Sequence, residues 1–359
     1  FFVINGAGVI ENAKLQGLRL SLPAPPEAGV LPHRNRGALV GVLATAAVLC
    51  LPPLFTFLIE RAAVRGALAL PQTVEHGYRR LGVGWLHACN CAATLFAPCA
   101  LVASGASVGG AGGGVLLLIV AVTLFLKLTS YAHVHHDLRL AEQESLELDV
   151  ADLDGRLAKF ASQVEDAGQH VHYPSNVTLG NLLYFVAAPT LCYQTEYPRT
   201  KHVRLGYLLS LSLRLVVLSS TLTAICIQYM LPLLDDASNA IVARDAFAAS
   251  ERLFKLAIPV TYCWVGGFYT FFHVWLNLLA EVLRFGDRTF YKDWWNATDF
   301  ETYWRKWNMP VHCWIVRHAY FPLQRHFSRS KAKVGFLCFT LSAVLHEIVV
   351  AFPLRSFYM

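Results

Sequence analysis

The chain alternates between long stretches without Asp, Glu, Lys or Arg and short stretches crowded with them. Gly37–Ile59 runs 23 residues without a charge, Leu81–Leu126 runs 46, Leu215–Leu234 runs 20 and Leu256–Ala280 runs 25. A hydrocarbon core about 30 Å thick needs about 20 apolar residues of helix. Each run is therefore long enough for one crossing, and 81–126 for two, with the glycine-rich stretch Gly105–Gly114 as the bend. A last run, from about Lys333 to Leu354, reads KVGFLCFTLSAVLHEIVVAFPL. The pattern predicts an all-α, polytopic transmembrane helical bundle. Phe1–Ile10 is short and contains Asn5; it reads as the end of a further span.

Composition agrees with the pattern. The chain is 55% hydrophobic and 15% charged, where soluble domains carry about 25% charged residues. The net charge of +6 does not point to nucleic acid, because Lys and Arg sit beside the spans as the positive-inside rule expects. Arg61, Arg65, Arg79 and Arg80 make the connection after the first run cytosolic, and counting forward makes Lys127 onward cytosolic again. Residues 127–204 are then expected to form a cytosolic loop, with an acidic mobile part over His135–Asp166. The apolar piece Thr178–Tyr193 contains Pro189 and is followed by Arg199, Lys201 and Arg204. It is expected to be re-entrant or interfacial rather than a crossing. That choice puts residues 285–332 on the cytosolic side and makes 333–354 a span. Most of the nine cysteines lie in apolar runs and read as packing residues, not a disulfide framework. His133–His136 (HVHH) has no supporting carboxylate or Cys cluster, so no metal site is expected.

Two constellations can carry chemistry. The last run holds His346 and Glu347 in its interior, with Ser342 on the face of His346. Ionisable groups inside a span usually face the bundle interior or a water-filled cavity. A structural histidine bonded to a neighbouring helix is one reading. A proton acceptor for a lipid hydroxyl is the other, since imidazole titrates near neutrality. The second constellation is the loop FYKDWWNATDFETYWRKWNMPVHCWIVRHAYFPL, residues 290–323, which holds five of the eight tryptophans. An amphipathic helix at headgroup depth accounts for part of it. Cations beside stacking rings also suit a ligand with phosphates and an adenine ring, such as coenzyme A.

These residues carry a resemblance. FYKDWWN (Phe290, Tyr291, Asp293, Trp294, Trp295 and Asn296 among them), then WNMPVH and RHAYFP, then a span with SAVLHE, are similar to the membrane-bound O-acyltransferases. APTLCYQTEYPRT, FLKLTSY and FGDRTFYKDWWN resemble the acyl-CoA:diacylglycerol acyltransferase type 1 branch, plant and algal members above all, with the sterol acyltransferase branch as a relative. The resemblance covers nearly the whole of 1–359 and implies a single domain, with 285–332 as the acyl-CoA entrance. It implies a multi-pass enzyme of the endoplasmic reticulum membrane that moves an acyl group from acyl-CoA to diacylglycerol, giving triacylglycerol among membrane lipids. Acyl-CoA is the co-substrate, no cofactor is needed, and a homo-oligomer, dimer or tetramer, is expected.

Carried over by motif, His346 resembles the family's catalytic base and Asn308 its active-site asparagine. Trp304, Trp307, His312 and Tyr320 lie on the part that resembles the acyl-CoA entrance, with Lys331 and Ser342 as further coenzyme A contacts and Glu347 as part of the signature. The family continues past the segment matching Pro353–Arg355 through further helices, so a partial sequence is expected, as its start at Phe1 also suggests. A sterol or fatty-alcohol acceptor is the nearest alternative. A transporter or scaffold is the distant one, and it would call for paired broken helices in two internal repeats.

Overall fold

A computed structural model describes residues 34–66, 82–105, 110–147 and 173–354. The expected span end at Phe1–Ile10 lies outside them. In chain order the helices are α1 (Arg34–Val64), α2 (Val83–Ala103), α3 (Gly110–Glu147), α4 (Leu179–Ala187), α5 (Leu205–Ile225), α6 (Leu231–Val242), α7 (Ala246–Phe268), α8 (Leu276–Val282), α9 (Phe300–Trp307), α10 (Met309–Ile315), α11 (Phe321–His326) and α12 (Lys331–Leu354). Wider π turns join α5 to α6, α7 to α8 and α10 to α11. Pro232 and Pro322 follow two of these turns. Each lacks the N–H its helix needs and its ring crowds the carbonyl four residues back, so the ladder widens there. The third follows the pair Gly266–Gly267.

Among the described residues, five helical stretches are long and apolar enough to cross a membrane: Val40–Val64, Val83–Ala103, Gly112–Glu142, Leu205–Val242 and Lys331–Pro353. The run 256–280 is helical too, but the helix that begins it carries Glu251, Arg252 and Lys255, and it is not among the five. The expected loop from residue 127 is corrected. α3 continues to Glu147, because no Gly or Pro interrupts the sequence after Gly114. Thr178–Tyr193 yields only the nine-residue α4, about 14 Å long and too short to cross. Thr178 caps its start, accepting from Asn181 N at 3.2 Å. It ends where Ala188, ahead of Pro189, turns extended at φ −64°, ψ 143°.

The chain divides into two compact units, one drawn from His33–Arg199 with Tyr291–Met359, the other containing Thr200–Phe290. In the first, α2 and α3 run antiparallel. A Cβ on Gly114 would meet Val102 of α2 at 3.2 Å and Pro353 of α12 at 3.3 Å, so the missing side chain lets three helices close up. Cys99, Val102, Leu117 and Leu118 form the core at that end. Further along, Thr129 Oγ1 donates to Cys91 Sγ at 3.7 Å. The Asn90 amide donates to Pro52 O at 2.9 Å and Thr56 Oγ1 at 2.8 Å, holding α2 to α1. A second core packs Leu126, Leu191, Trp314, Ala319, Val334 and Cys338, joining α3 to α10 and α12.

In the second unit, α7 lies close enough to α5 that a Cβ on Gly266 would clash with Leu222 at 2.8 Å. Glu281, fully buried, accepts from Arg204 N at 2.6 Å and from Arg204 Nη2 at 2.8 Å, and pairs with Arg288 at 2.7 Å. The clamp ties the start of α5 to the end of α8. These contacts, Arg204's hydrogen bond first, hold the Glu281 carboxyl well below its usual range, at about 2.

Candidate active site

The geometry of α12 decides where its polar residues point. Val334, Cys338, Leu341 and Leu345 form one face, packed on the core shared with α3. His346 follows Leu345 by about 100° around the helix, and it is exposed. Of the two positions expected for a span histidine, the bundle interior or a water-filled cavity, the packed interior is taken by the apolar stripe, and His346 lies beside it. Its Nδ1 lies 2.7 Å from Ser342 O and 3.5 Å from Ser342 Oγ, so Ser342, on the same face, meets the ring mainly through its main chain. Glu347 is half-buried. It lies another 100° round and does not orient the ring.

Asn308 is half-buried at the junction of α9 and α10. Its Oδ1 accepts from Val311 N at 3.2 Å and caps α10. No hydrogen bond joins Asn308 to His346. The aromatic residues do reach α12. Trp304 packs edge-on against Phe339 with centroids 6.1 Å apart, two turns before His346. Trp294 meets Trp307 at 4.9 Å, and Tyr303 stacks on Trp307 at 5.9 Å. Asp293 pairs with Lys306 at 2.9 Å, and Lys292 N donates to Lys306 O at 2.9 Å. FYKDWWN therefore folds back on α9 and fixes it, while Trp295 and Asn296 stay exposed. Phe290 is buried and Tyr291 half-buried. His312 is half-buried, and burial, then the Arg305 and Lys292 charges, push its pKa down. Tyr320 packs into the core, and Lys331 is exposed at the start of α12.

The sequence reading missed a buried polar network across α3. Lys127, which its sequence neighbours place at the start of a loop, is 4% exposed and donates to Phe185 O at 2.9 Å and Ala188 O at 2.6 Å. Those carbonyls end α4, where a cation is favoured. Ser130 Oγ accepts from Tyr193 N at 2.8 Å and is hydrogen-bonded to His318 Nε2 at 2.8 Å. His318 Nδ1 lies 3.0 Å from His133 Nδ1, so one proton is shared between the two rings. Burial, then the neighbouring His133 and Arg317, push the His318 pKa down to about 3, keeping it neutral. Asn176, in a glycosylation sequon, is buried and donates to Tyr193 Oη at 3.1 Å. Sequence signals existed in HVHH and RHAYFP, but nothing in them pairs the two segments. Among the described residues no His, Cys, Asp and Glu group has the arrangement of a metal site.

Residues 79–359 match the model of the membrane-bound O-acyltransferase family. The chain is 38% identical over 309 residues to a protein of Glycine max named diacylglycerol O-acyltransferase 1B, covering 85% of this chain and 55% of that one. It is 44% identical over 246 residues to diacylglycerol O-acyltransferase 1-1 of Oryza sativa subsp. japonica, covering 67% and 42%. It is 34% identical over 348 residues to diacylglycerol O-acyltransferase 1 of Dictyostelium discoideum, covering 97% and 51%. The chain thus spans about half the length of the curated relatives it matches.

Proposed function

Since the chain belongs to the membrane-bound O-acyltransferase family and is a multi-pass membrane protein, we propose that it transfers a fatty acyl group from acyl-CoA to the free hydroxyl of 1,2-diacylglycerol. The product is triacylglycerol, made in the endoplasmic reticulum membrane. The names of its relatives support the substrate pair.

One observation carries the chemistry. The carbonyl of Ser342 lies 2.7 Å from His346 Nδ1. It can only accept, so Nδ1 holds the proton and Nε2 keeps its lone pair. Nε2 takes the proton of the lipid hydroxyl as its oxygen attacks the thioester carbonyl. The C–O bond forms, the C–S bond breaks, and the departing coenzyme A thiolate takes the proton back from the imidazolium. No acyl-enzyme is formed. Asn308 positions or polarises the thioester carbonyl through its amide. The aromatic cluster of Trp304 and Trp307, with His312, Tyr320, Lys331 and Ser342 nearby in sequence, receives acyl-CoA at the cytosolic face. The enzyme works without a cofactor, as a homo-oligomer.

The test is acyl transfer in membranes. Labelled acyl-CoA with diacylglycerol should give labelled triacylglycerol, and His346→Ala at equal expression should not. Equal activity in that variant refutes the assignment of the base.

A further inference from the structure

We propose that Cys226 and Cys263 are a redox pair, which a lipid hydroperoxide joins in a disulfide that clasps α7 to the junction of α5 and α6. Neither cysteine has a part in the transferase chemistry, so the link stands or falls apart from it.

The two sulfurs are already in contact. Cys226 opens the π turn after α5, Cys263 lies on α7, and their Sγ atoms are 3.7 Å apart. A disulfide bond is about 2.05 Å long, so the sulfurs need to close by about 1.7 Å. A disulfide also needs its Cα atoms within about 4.4–6.8 Å of each other, and the neighbouring contact brings the helices together. Leu222, four residues before Cys226, meets Gly266, three residues after Cys263. A Cβ on Gly266 would lie 2.8 Å from Leu222 Cδ2, closer than side chains pack. The two contacts step in opposite directions along their helices, so α5 and α7 run antiparallel. Spacings of three and four keep each pair on one face, which puts the sulfurs one turn along the same seam. Gly266 permits the approach, and the two short thiol side chains meet within it.

Place decides the oxidant. Cys226 lies within Leu205–Val242, a stretch long and apolar enough to cross a membrane. Both cysteines are half-buried, and Val260 and Trp264 are exposed beside Cys263. A reagent therefore arrives from the hydrocarbon, where an acyl chain carrying a hydroperoxide dissolves and a charged oxidant does not. One thiol sulfur attacks the outer peroxide oxygen, the O–O bond breaks, and the lipid leaves as an alcohol carrying the thiol proton. That sulfur becomes a sulfenic acid. The second sulfur attacks it, the S–S bond forms and the S–O bond breaks. The hydroxyl leaves as water with the second thiol proton. Two thiols give up two electrons and one peroxide takes them. No charged group is left in the membrane. The partner thiol is in contact from the start, so the second step outruns oxidation to the sulfinic acid. Met230 Sδ, 3.9 Å from Cys226 Sγ, is the competing site for the same oxidant.

The test uses the full-length protein in phosphatidylcholine nanodiscs, with and without the hydroperoxide of a linoleoyl chain. Free thiols are capped with N-ethylmaleimide, and unreduced peptides are read by mass spectrometry. The hydroperoxide should raise the peptide linking Cys226 to Cys263 at least tenfold, and a dithiol should reverse it. Oxidised glutathione, charged and confined to water, should give at least tenfold less. Cys226→Ser and Cys263→Ser should each abolish the link. Gly266→Ala, which pushes α7 off Leu222, should reduce it at least tenfold with both thiols present. If that variant fails to fold, Cys263→Ser with Thr261→Cys replaces it. That change moves the thiol about 200° round α7, and it should not link. The linked form should also melt several degrees higher than the reduced one, because the bond closes a loop of 37 residues in the unfolded chain. Both thiols capped after the hydroperoxide, Met230 oxidised in their place, equal linking by glutathione, or equal linking from position 261 overturns the proposal. So does a disulfide between two chains. Triacylglycerol formation on the same preparations reports on the transferase reading alone, and its absence leaves the linkage result as read.

Discussion

His346 gives its Nδ1–H to the carbonyl of Ser342, one turn earlier on α12, at 2.7 Å. The hydroxyl of Ser342 stands farther off, at 3.5 Å. The ring is therefore held by main chain, which a side-chain change leaves in place. Ser342→Ala should lower acyl transfer by less than about tenfold, equivalent to about 1.4 kcal/mol, while His346→Ala should remove it. Initial rates on equal amounts of protein check this, and a loss in Ser342→Ala as large as that in His346→Ala contradicts it.

Asn308 has two duties that substitutions can separate. Its Oδ1 caps α10, and an Ala there should cost about 1 kcal/mol of stability. Asn308→Asp keeps a capping oxygen but loses the amide N–H₂. The Asp variant should melt near the wild type yet lose most activity. If it retains activity, the residue's role is the cap alone.

Glu281 anchors the unit of Thr200–Phe290. Glu281→Gln removes the charge between Arg204 and Arg288 and should destabilise by about 1–3 kcal/mol, as weakening hydrogen bonds to a charged group does, because Arg204 is itself open to solvent. A thermal melt in detergent should show a clear drop, and an unchanged midpoint would mean the clamp is dispensable. Its folded pKa, about 2, lies below the ordinary carboxylate value. The clamp's stabilisation is thus full above about pH 4.5 and is lost as pH falls toward about 2.

His318 gives a second pH signature. Its pKa falls from 6.5 to about 3 in the fold, so the unfolded chain binds the proton more readily than the folded one. Its stabilisation is complete above about pH 6.5 and declines as pH drops toward 3. Melting midpoints between pH 7 and pH 4.5 should fall more steeply in the wild type than in His318→Gln, which cannot titrate. Parallel slopes would rule out His318 as a source.

How much of this was legible depends on how local the cause is. The pairing of Ser342 with His346 could be read from a spacing of four, because a helix fixes that geometry. The end of α4 could be read from Pro189. Lys127 could not, since a lysine between apolar runs reads as a flank. Its burial depends on the carbonyls of Phe185 and Ala188, some sixty residues away and visible only once α4 has docked. Which of the two, interior or water-filled cavity, His346 faces could not be read for a related reason. The sequence lists polar residues within a span but does not say which stripe the neighbouring helices take. FYKDWWN stands out in the sequence, yet its placement on α9 rests on Asp293–Lys306 and the Trp294–Trp307 contact.

Whether His346 is the base and diacylglycerol the acceptor is decided by a competition among acceptors. Membranes containing the protein, or its His346→Ala variant, receive labelled oleoyl-CoA with diacylglycerol, sterol and fatty alcohol side by side. Label is expected in triacylglycerol, little in steryl or wax esters, and none above background in the variant. Label mainly in another ester, or equal triacylglycerol from the variant, would contradict it.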